Sequence, residues 1–241
     1  MKNFFKYFTA TLVGVFFASF LLVPLFNQGV KNFILASVIG DSFCPQGDGK
    51  IFENEMTVYV NKTVGLPSGY VPENLIEVSN EIRSTKNGCL KREALDNLKI
   101  MFADADKSNI KLAVTSAYRS SVLQSQLYKA LYALKGEKAK DRIAPPSHSE
   151  HQLGTTVDLS GESIDYVSAS DRFTDTPEEL WLRENAYKYG FVQSYPKGKT
   201  SITGYDYESW HYRYLGTEIA KEISEGGITI EEYFQDLKEK E

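Results

Sequence analysis

The sequence holds few of the residues from which most metal and thiol sites are built. Among its 241 residues are three histidines and two cysteines, and the cysteines do not form a Cys-x-x-Cys pair that would indicate a metal site. Long runs of lysine or arginine are also missing, and the formal net charge of −5 argues against nucleic acid as a partner. With 42% hydrophobic residues and no repeats, the chain is predicted to form one domain with additional segments.

Residues 1–40 differ most in composition from the rest of the chain. Lys2 and Lys6 precede an apolar run from Phe8 to Phe26 that contains no charged residue. This run is long enough to cross a bilayer, and the preceding lysines favour a cytoplasmic N-terminus. A cleaved signal peptide is the alternative, although no small-x-small cleavage site follows directly. We predict a single-pass membrane anchor, or a secreted protein if the segment is cleaved, with the remainder exported in either case.

Residues 41–56 contain a proline and two glycines after Cys44 and are predicted to be a linker. The second cysteine, Cys89, lies well beyond this linker. In an exported protein the two cysteines can form a disulfide across a long loop, and two free thiols are the alternative.

The spacing of apolar residues predicts helices over residues 92–105 and 121–134. Three further helices are predicted nearer the C-terminus, over residues 177–189, 217–224 and 229–237. The residues predicted to be buried on the first helix are Ala94, Leu95, Leu98, Met101, Phe102 and Ala105. Those on the second are Leu127, Ala130, Leu131 and Leu134.

Strands are predicted where apolar and polar residues alternate, over residues 56–60, 111–116, 155–159 and 210–215. Helices and strands mix without a regular βαβ period. The predicted fold class is therefore α+β with an antiparallel sheet.

The stretch from Ser149 to Leu159 carries the clearest chemical signal. Side chains alternate along a strand, so if Val157 and Leu159 face the core, Asp158 faces a cleft. His151 precedes Gly154, where the chain can turn and bring the imidazole beside that carboxylate. Histidine and aspartate suit zinc, but two ligands do not make a site. A third ligand must come from elsewhere.

Only two histidines remain to supply that ligand. His148 lies three residues before His151 and can reach the same cation. His211 lies in a second motif, in which Glu208 stands three residues before it and Trp210 directly before it.

Together, Ser-x-His-x-x-Gly-x-x-x-Asp and Glu-x-Trp-His resemble the VanY-type D-alanyl-D-alanine carboxypeptidases, zinc peptidases of the bacterial cell wall. The resemblance runs from about Val58 to Gly216. It also includes Val60-Asn61-Lys62, Leu66-Pro67-x-x-Tyr70-x-Pro72, Ser116-Ala117-Tyr118-Arg119-Ser120 with Gln124, Gly190-Phe191 and Tyr195-Pro196-Lys197-Gly198.

The resemblance implies a zinc carboxypeptidase domain over residues 57–241 with a hedgehog-like fold, in which helices surround a small central antiparallel sheet. It implies one zinc ion, held by His151, Asp158 and His211. It implies that Glu208 is the general base and that the substrate contacts are Arg119, Gln124 and Ser149. A guanidinium can hold the free carboxylate of a peptide with two parallel hydrogen bonds, which suits this role for Arg119. His148 has no position in the family's motif.

Several positions depart from the family's pattern. Ser209 stands where the family has proline, and the other departures are Ala117, Thr155, Thr156 and Ser194. They bear on substrate preference more than on activity. Because Glu208 and His211 are three residues apart, a regular strand would point them to opposite faces. A turn or bulge is therefore predicted between them.

These features predict an extracytoplasmic zinc enzyme that removes the terminal D-alanine from peptidoglycan stem peptides, by D,D- or L,D-cleavage. One alternative is an endopeptidase with the same zinc centre, against which Arg119 argues. Another is a zinc-stabilised binding module without turnover, against which Glu208 argues. A serine-hydrolase set of Ser149, His151 and Asp158 is disfavoured because no Gly-x-Ser-x-Gly turn is present.

Overall fold

A computed structural model of the chain describes residues 44–47, 51–52 and 54–240. The predicted N-terminal hydrophobic segment, residues 1–40, lies outside these residues. Among the helices that the structure describes, none is long and apolar enough to cross a membrane.

The described chain contains two antiparallel sheets, one of two strands and one of four. The strands are β1 (Leu75–Glu77), β2 (Cys89–Lys91), β3 (Leu112–Ser116), β4 (Thr156–Gly161), β5 (Phe191–Gln193) and β6 (His211–Tyr214). β1 pairs with β2, and the larger sheet has the order β3-β4-β6-β5. The prediction of a small antiparallel sheet is therefore confirmed.

One of the predicted strands is wrong. Residues 56–60 form no strand, and Glu55–Thr57 is instead a short 3-10 helix. Asn54 begins this helix, because its side chain accepts a hydrogen bond from the backbone N–H of Met56. The capped 3-10 helix thus occupies part of the segment in which a strand was predicted.

The described chain also contains α-helices, some of which pack against the larger sheet. They are α1 (Arg92–Lys107), α2 (Ser121–Lys135), α3 (Pro177–Asn185), α4 (Thr200–Thr203), α5 (Thr217–Gly226) and α6 (Ile230–Lys240). All six residues predicted to be buried on α1 are buried, and they share a core with Val157 and Leu159 of β4. α3 begins as its sequence predicts, with the Thr176 hydroxyl accepting a hydrogen bond from Glu179 N.

The predicted inward face of α2 is wrong. The helix forms, but Leu127 is 38% exposed, Leu134 is 82% exposed and Gln124 is its one buried residue. Ala130 is exposed and Leu131 is half-buried. Apolar residues occupy most sides of this helix, so their spacing predicts helical structure without defining which side meets the core.

Cys44 and Cys89 form a disulfide across 45 residues, with their Cα atoms 5.7 Å apart. Both cysteines are buried, and they pack with Leu75 of β1. The bond fixes the segment around Cys44 to β2. By restricting the unfolded chain, a disulfide of this kind typically contributes about 2–4 kcal/mol to stability.

A tight turn leads into β4, the strand at the centre of the predicted site. The 3-10 helix Glu150–Leu153 ends at Gly154, which adopts a left-handed backbone with φ of 71°. A Cβ atom at this position would lie 2.6 Å from the Leu75 side chain. Both the backbone conformation and the close approach therefore favour glycine, as its place between His151 and Asp158 suggested.

Candidate active site

The larger sheet brings Asp158 and His211 together. β4 and β6 are antiparallel, and these two residues are direct partners in the register. Their side chains meet on the face away from Val157 and Leu159, with Asp158 Oδ1 3.3 Å from His211 Nδ1. Residues 53 positions apart in sequence thus become neighbours because cross-strand partners lie side by side.

His151 completes a cluster of three buried ligand-type residues. Its Nε2 lies 3.2 Å from Asp158 Oδ1, and its ring stands edge-on to the ring of His211 with 4.9 Å between centroids. One candidate ligand atom from each of the three residues lies within 4.8 Å of the other two. The residues predicted to hold zinc are therefore brought together in space.

Two of the three spacings between these atoms fit a tetrahedral zinc ion. Zinc bonds of about 2.0–2.2 Å at tetrahedral angles place neighbouring ligand atoms about 3.3–3.6 Å apart. The separations from Asp158 Oδ1, 3.2 Å to His151 and 3.3 Å to His211, are close to that value. Two imidazoles and one carboxylate also match the donor types of catalytic zinc sites, which leave a fourth position open.

Both histidines are oriented by partners behind them. His151 Nδ1 lies 2.7 Å from the backbone oxygen of Ala117, which fixes the proton on Nδ1 and leaves Nε2 facing Asp158. His211 Nε2 lies 2.9 Å from Glu150 Oε2, which leaves Nδ1 facing Asp158 in the same way. Each ring therefore directs one nitrogen towards the centre of the cluster.

Glu208 lies beside this cluster and is not one of its three members. A turn at Ser209 and Trp210 separates Glu208 from β6, so the predicted break is present without a proline. This turn brings Glu208 Oε2 to 3.5 Å from His211 Nδ1. Burial raises the pKa of the Glu208 carboxyl to about 7, against the opposing effect of His211.

In the metal-free cluster the pKa values of the two histidines are shifted in opposite directions. Burial and the nearby Arg119 guanidinium lower the pKa of His151 to about 4. Burial opposes charge on Asp158 and His211 too, but their hydrogen bonds and charged neighbours outweigh it. His151 and then His211 hold the pKa of Asp158 well below its usual range, and Asp158 together with Glu150 raises that of His211 to about 10.

Arg119 is held at the edge of the cluster by the backbone. It follows β3, and its N–H donates to the backbone oxygen of His151 at 3.2 Å. Its positive charge lowers the pKa of both His151 and Glu208. Within the described part of the chain, no carboxylate lies within ion-pair distance of Arg119.

The other predicted residues take less central positions. Gln124 is buried, and its amide donates to the backbone oxygen of Ala144 at 2.7 Å, which ties α2 to the loop before His148. Ser149 is buried directly before the 3-10 helix that carries His151. His148 is half-buried, with Nδ1 2.9 Å from the backbone oxygen of Pro146, and it is not a member of the ligand cluster.

Three residues behind His211 had no role predicted from the sequence, namely Glu150, Ser194 and Arg213. Arg213 donates to Glu150 Oε1 at 3.1 Å, and the Ser194 hydroxyl donates to Glu150 Oε2 at 2.6 Å. Burial alone would raise the pKa of Glu150, but Arg213 and His211 hold it at about 2. The sequence held one signal for Arg213: residues 211 and 213 are two positions apart on one strand, so their side chains share a face.

Comparisons with known proteins identify relatives of this chain. The sequence model of the family described as VanY, D-alanyl-D-alanine carboxypeptidase, matches residues 87–217, more than half of the chain. The chain is 42% identical to YodJ of Bacillus subtilis (strain 168) over 184 residues, which cover 74% of this chain and 67% of YodJ. It is 36% identical to a D-alanyl-D-alanine carboxypeptidase of Enterococcus faecalis (strain ATCC 700802 / V583), over 58% of this chain and 54% of that protein.

Solved structures share the fold as well. The LdcB LD-carboxypeptidase superposes with a TM-score of 0.68 at 40% identity, over 80% of this chain and 94% of LdcB. A vancomycin-resistance D,D-pentapeptidase VanY in complex with Zn(II) gives 0.62 at 30% identity, over 75% of this chain and 99% of that one. The chain therefore belongs to the VanY family of D-alanyl-D-alanine carboxypeptidases, a family of zinc metallopeptidases.

Proposed function

We propose that the protein is a peptidoglycan carboxypeptidase that removes the terminal D-alanine of stem peptides, with one zinc ion held by His151, Asp158 and His211. The observation that carries this proposal is the convergence of those three side chains beside Glu208. A structural zinc site is usually closed by a fourth protein ligand, whereas this cluster has three and a neighbouring carboxylate. That arrangement supports catalysis over a purely structural role.

In the proposed mechanism, Glu208 moves the protons. Zinc bound at the cluster would polarise the scissile carbonyl and lower the pKa of a water molecule to about 7. Glu208 accepts a proton from the attacking water as the C–O bond forms. It then delivers that proton to the amine nitrogen of the leaving D-alanine as the C–N bond breaks.

Arg119 is proposed to bind the free carboxylate of the terminal residue. Its backbone N–H is bonded to the backbone oxygen of His151, and its guanidinium has no carboxylate partner within the described residues, so it can pair with a substrate carboxylate. Gln124 and Ser149, which flank the same region, are proposed to contact the peptide. This arrangement selects a chain end and therefore supports carboxypeptidase over endopeptidase activity.

We expect Arg119→Ala to weaken the turnover of peptides with a free C-terminal carboxylate far more than that of amidated peptides. Loss of a charge-assisted pair costs about 1.5–3 kcal/mol, or about one to two decades in kcat/KM. The measurement compares kcat/KM for matched free and amidated peptides, with Arg172→Ala on the exposed surface as the control. Equal losses on both substrates would remove Arg119 from this role and favour the endopeptidase.

The class of bond cleaved is tested with defined muropeptides. LdcB is described as an LD-carboxypeptidase and the VanY neighbour as a D,D-pentapeptidase, so relatives of both specificities share this fold. Purified protein is incubated with pentapeptide, tetrapeptide and cross-linked stems, and the products are identified by mass. Loss of one D-alanine from pentapeptide indicates D,D-cleavage, and loss from tetrapeptide indicates L,D-cleavage. Cleavage of cross-linked stems alone would contradict the proposal.

We propose that residues 1–40 anchor or export the chain and that 41–56 link them to an extracytoplasmic catalytic domain over 57–241. The Cys44–Cys89 disulfide supports this placement, because disulfides persist in oxidising compartments. Protease added to intact cells is expected to digest the region from Val58 to Gly216. Protection of this region, while a known surface protein is digested, would contradict an external location.

A further inference from the structure

A buried carboxylate stands directly behind His211. Glu150 Oε2 lies 2.9 Å from His211 Nε2, on the side of the ring away from Asp158, and both residues are less than 5% exposed. Glu150 immediately precedes His151 in the chain. The 3-10 helix Glu150–Leu153 therefore presents His151 to the ligand cluster and Glu150 to the rear of His211.

Glu150 is itself fixed from two other elements. Arg213, which follows His211 on the same face of β6, donates to Glu150 Oε1 at 3.1 Å. Ser194, directly after β5, donates to Oε2 at 2.6 Å. Arg213 is fully buried and also donates to the backbone oxygens of Val58 and Met56, so its guanidinium cannot swing away without leaving those oxygens unpaired. The carboxylate thus has donors on both oxygens.

We infer that Glu150 is a positioning residue for metal binding, held by Arg213 and Ser194 so that His211 keeps its proton on Nε2 and turns Nδ1 to the metal. A carboxylate behind a ligating histidine fixes the ring orientation and raises the basicity of the ligating nitrogen. Ala117 fixes the ring orientation of His151 through a neutral backbone oxygen. The two histidines are therefore oriented by different groups: a neutral backbone oxygen orients His151, and the charged carboxylate of Glu150 orients His211.

This inference rests on the proposed zinc site, and the experiment separates the two. The dissociation constant for zinc is measured by chelator competition on the purified full-length chain, for the wild type and for Glu150→Gln. Substitution of such a partner typically weakens metal binding about 10–100-fold, and we expect a loss in that range. The control is Glu178→Gln, another buried carboxylate, whose hydrogen bonds go to Ser163 instead of to a histidine. It should bind zinc as the wild type does.

The outcomes are distinct. A wild type that binds no zinc would refute the proposed metal site, whereas equal affinities of the wild type and Glu150→Gln, within twofold, would overturn the role of Glu150. If Glu150→Gln does not fold, the nitrogen-15 NMR spectrum of the zinc-loaded wild type tests the inference, because it shows which ring nitrogen of His211 carries the proton. A proton on Nε2 of His211 is expected there, and a proton on Nδ1 would overturn the inference.

Discussion

Glu208→Gln is expected to keep its zinc and its fold while losing most of its activity. Glutamine preserves the size of the side chain and can still form hydrogen bonds, but it does not take a proton from water near neutral pH. Positioned proton transfer is typically worth about 10²–10⁴-fold in rate, so kcat should fall at least into that range. The zinc should stay because its three proposed ligands are other residues.

Three measurements on the same preparation test this expectation. Metal analysis should give the same zinc content as the wild type, thermal unfolding should show nearly the same midpoint, and D-alanine release should be lost. Glu178→Gln serves as the control for replacing a buried glutamate. Loss of zinc would make Glu208 a metal ligand, whereas near-normal turnover would point to another base, with His148 the first to test.

Removal of either proposed histidine ligand should empty the metal site. His151→Ala and His211→Ala each leave two of the three clustered side chains, which do not make a site that retains zinc through dialysis. Several kcal/mol of transition-state stabilisation are lost with the ion, so turnover should fall by at least about 10³-fold.

His148→Ala is the matched control, because His148 is a histidine of the same segment that lies outside the cluster. It should retain about one zinc ion per chain. Zinc content is measured by elemental analysis after dialysis, with circular dichroism to verify the fold of each variant. An empty site in His148→Ala together with a full one in His151→Ala would show that the ligand assignment is wrong.

Much of the candidate site was predictable because its signals are local. The alternation of Val157, Asp158 and Leu159 indicated which side chain leaves the core, and Gly154 indicated the turn that returns His151 to Asp158. The separation of Glu208 from His211 by three residues required a turn. These features depend on neighbours in sequence, whose geometry the backbone fixes.

The support behind the site was not predicted, because it depends on distant parts of the chain. Glu150 receives hydrogen bonds from residues 44 and 63 positions later, and Arg213 reaches Val58 across 155 positions. Their spacing in sequence carries no trace of these contacts. Only the shared face of His211 and Arg213 on β6 indicated that a cation lies near the cluster.

The errors in the fold have the same origin. Helix α2 was predicted correctly as a helix, yet which of its sides meets the core depends on packing with the rest of the domain. Residues 56–60 alternate as a strand would, but no strand among the described residues pairs with them, and Asn54 caps a 3-10 helix instead. Local periodicity predicts conformation better than it predicts partners.

The central claim is that a zinc ion at His151, Asp158 and His211 supports removal of a terminal D-alanine. The most direct test measures D-alanine release from defined pentapeptide and tetrapeptide stems by the full-length chain. Release is detected by mass, once with the zinc-loaded protein and once after the zinc has been removed. We predict that release stops when metal analysis shows no zinc and returns when about one equivalent is restored. Unchanged release by the zinc-free protein, or no release from either stem by the zinc-loaded protein, would contradict the account.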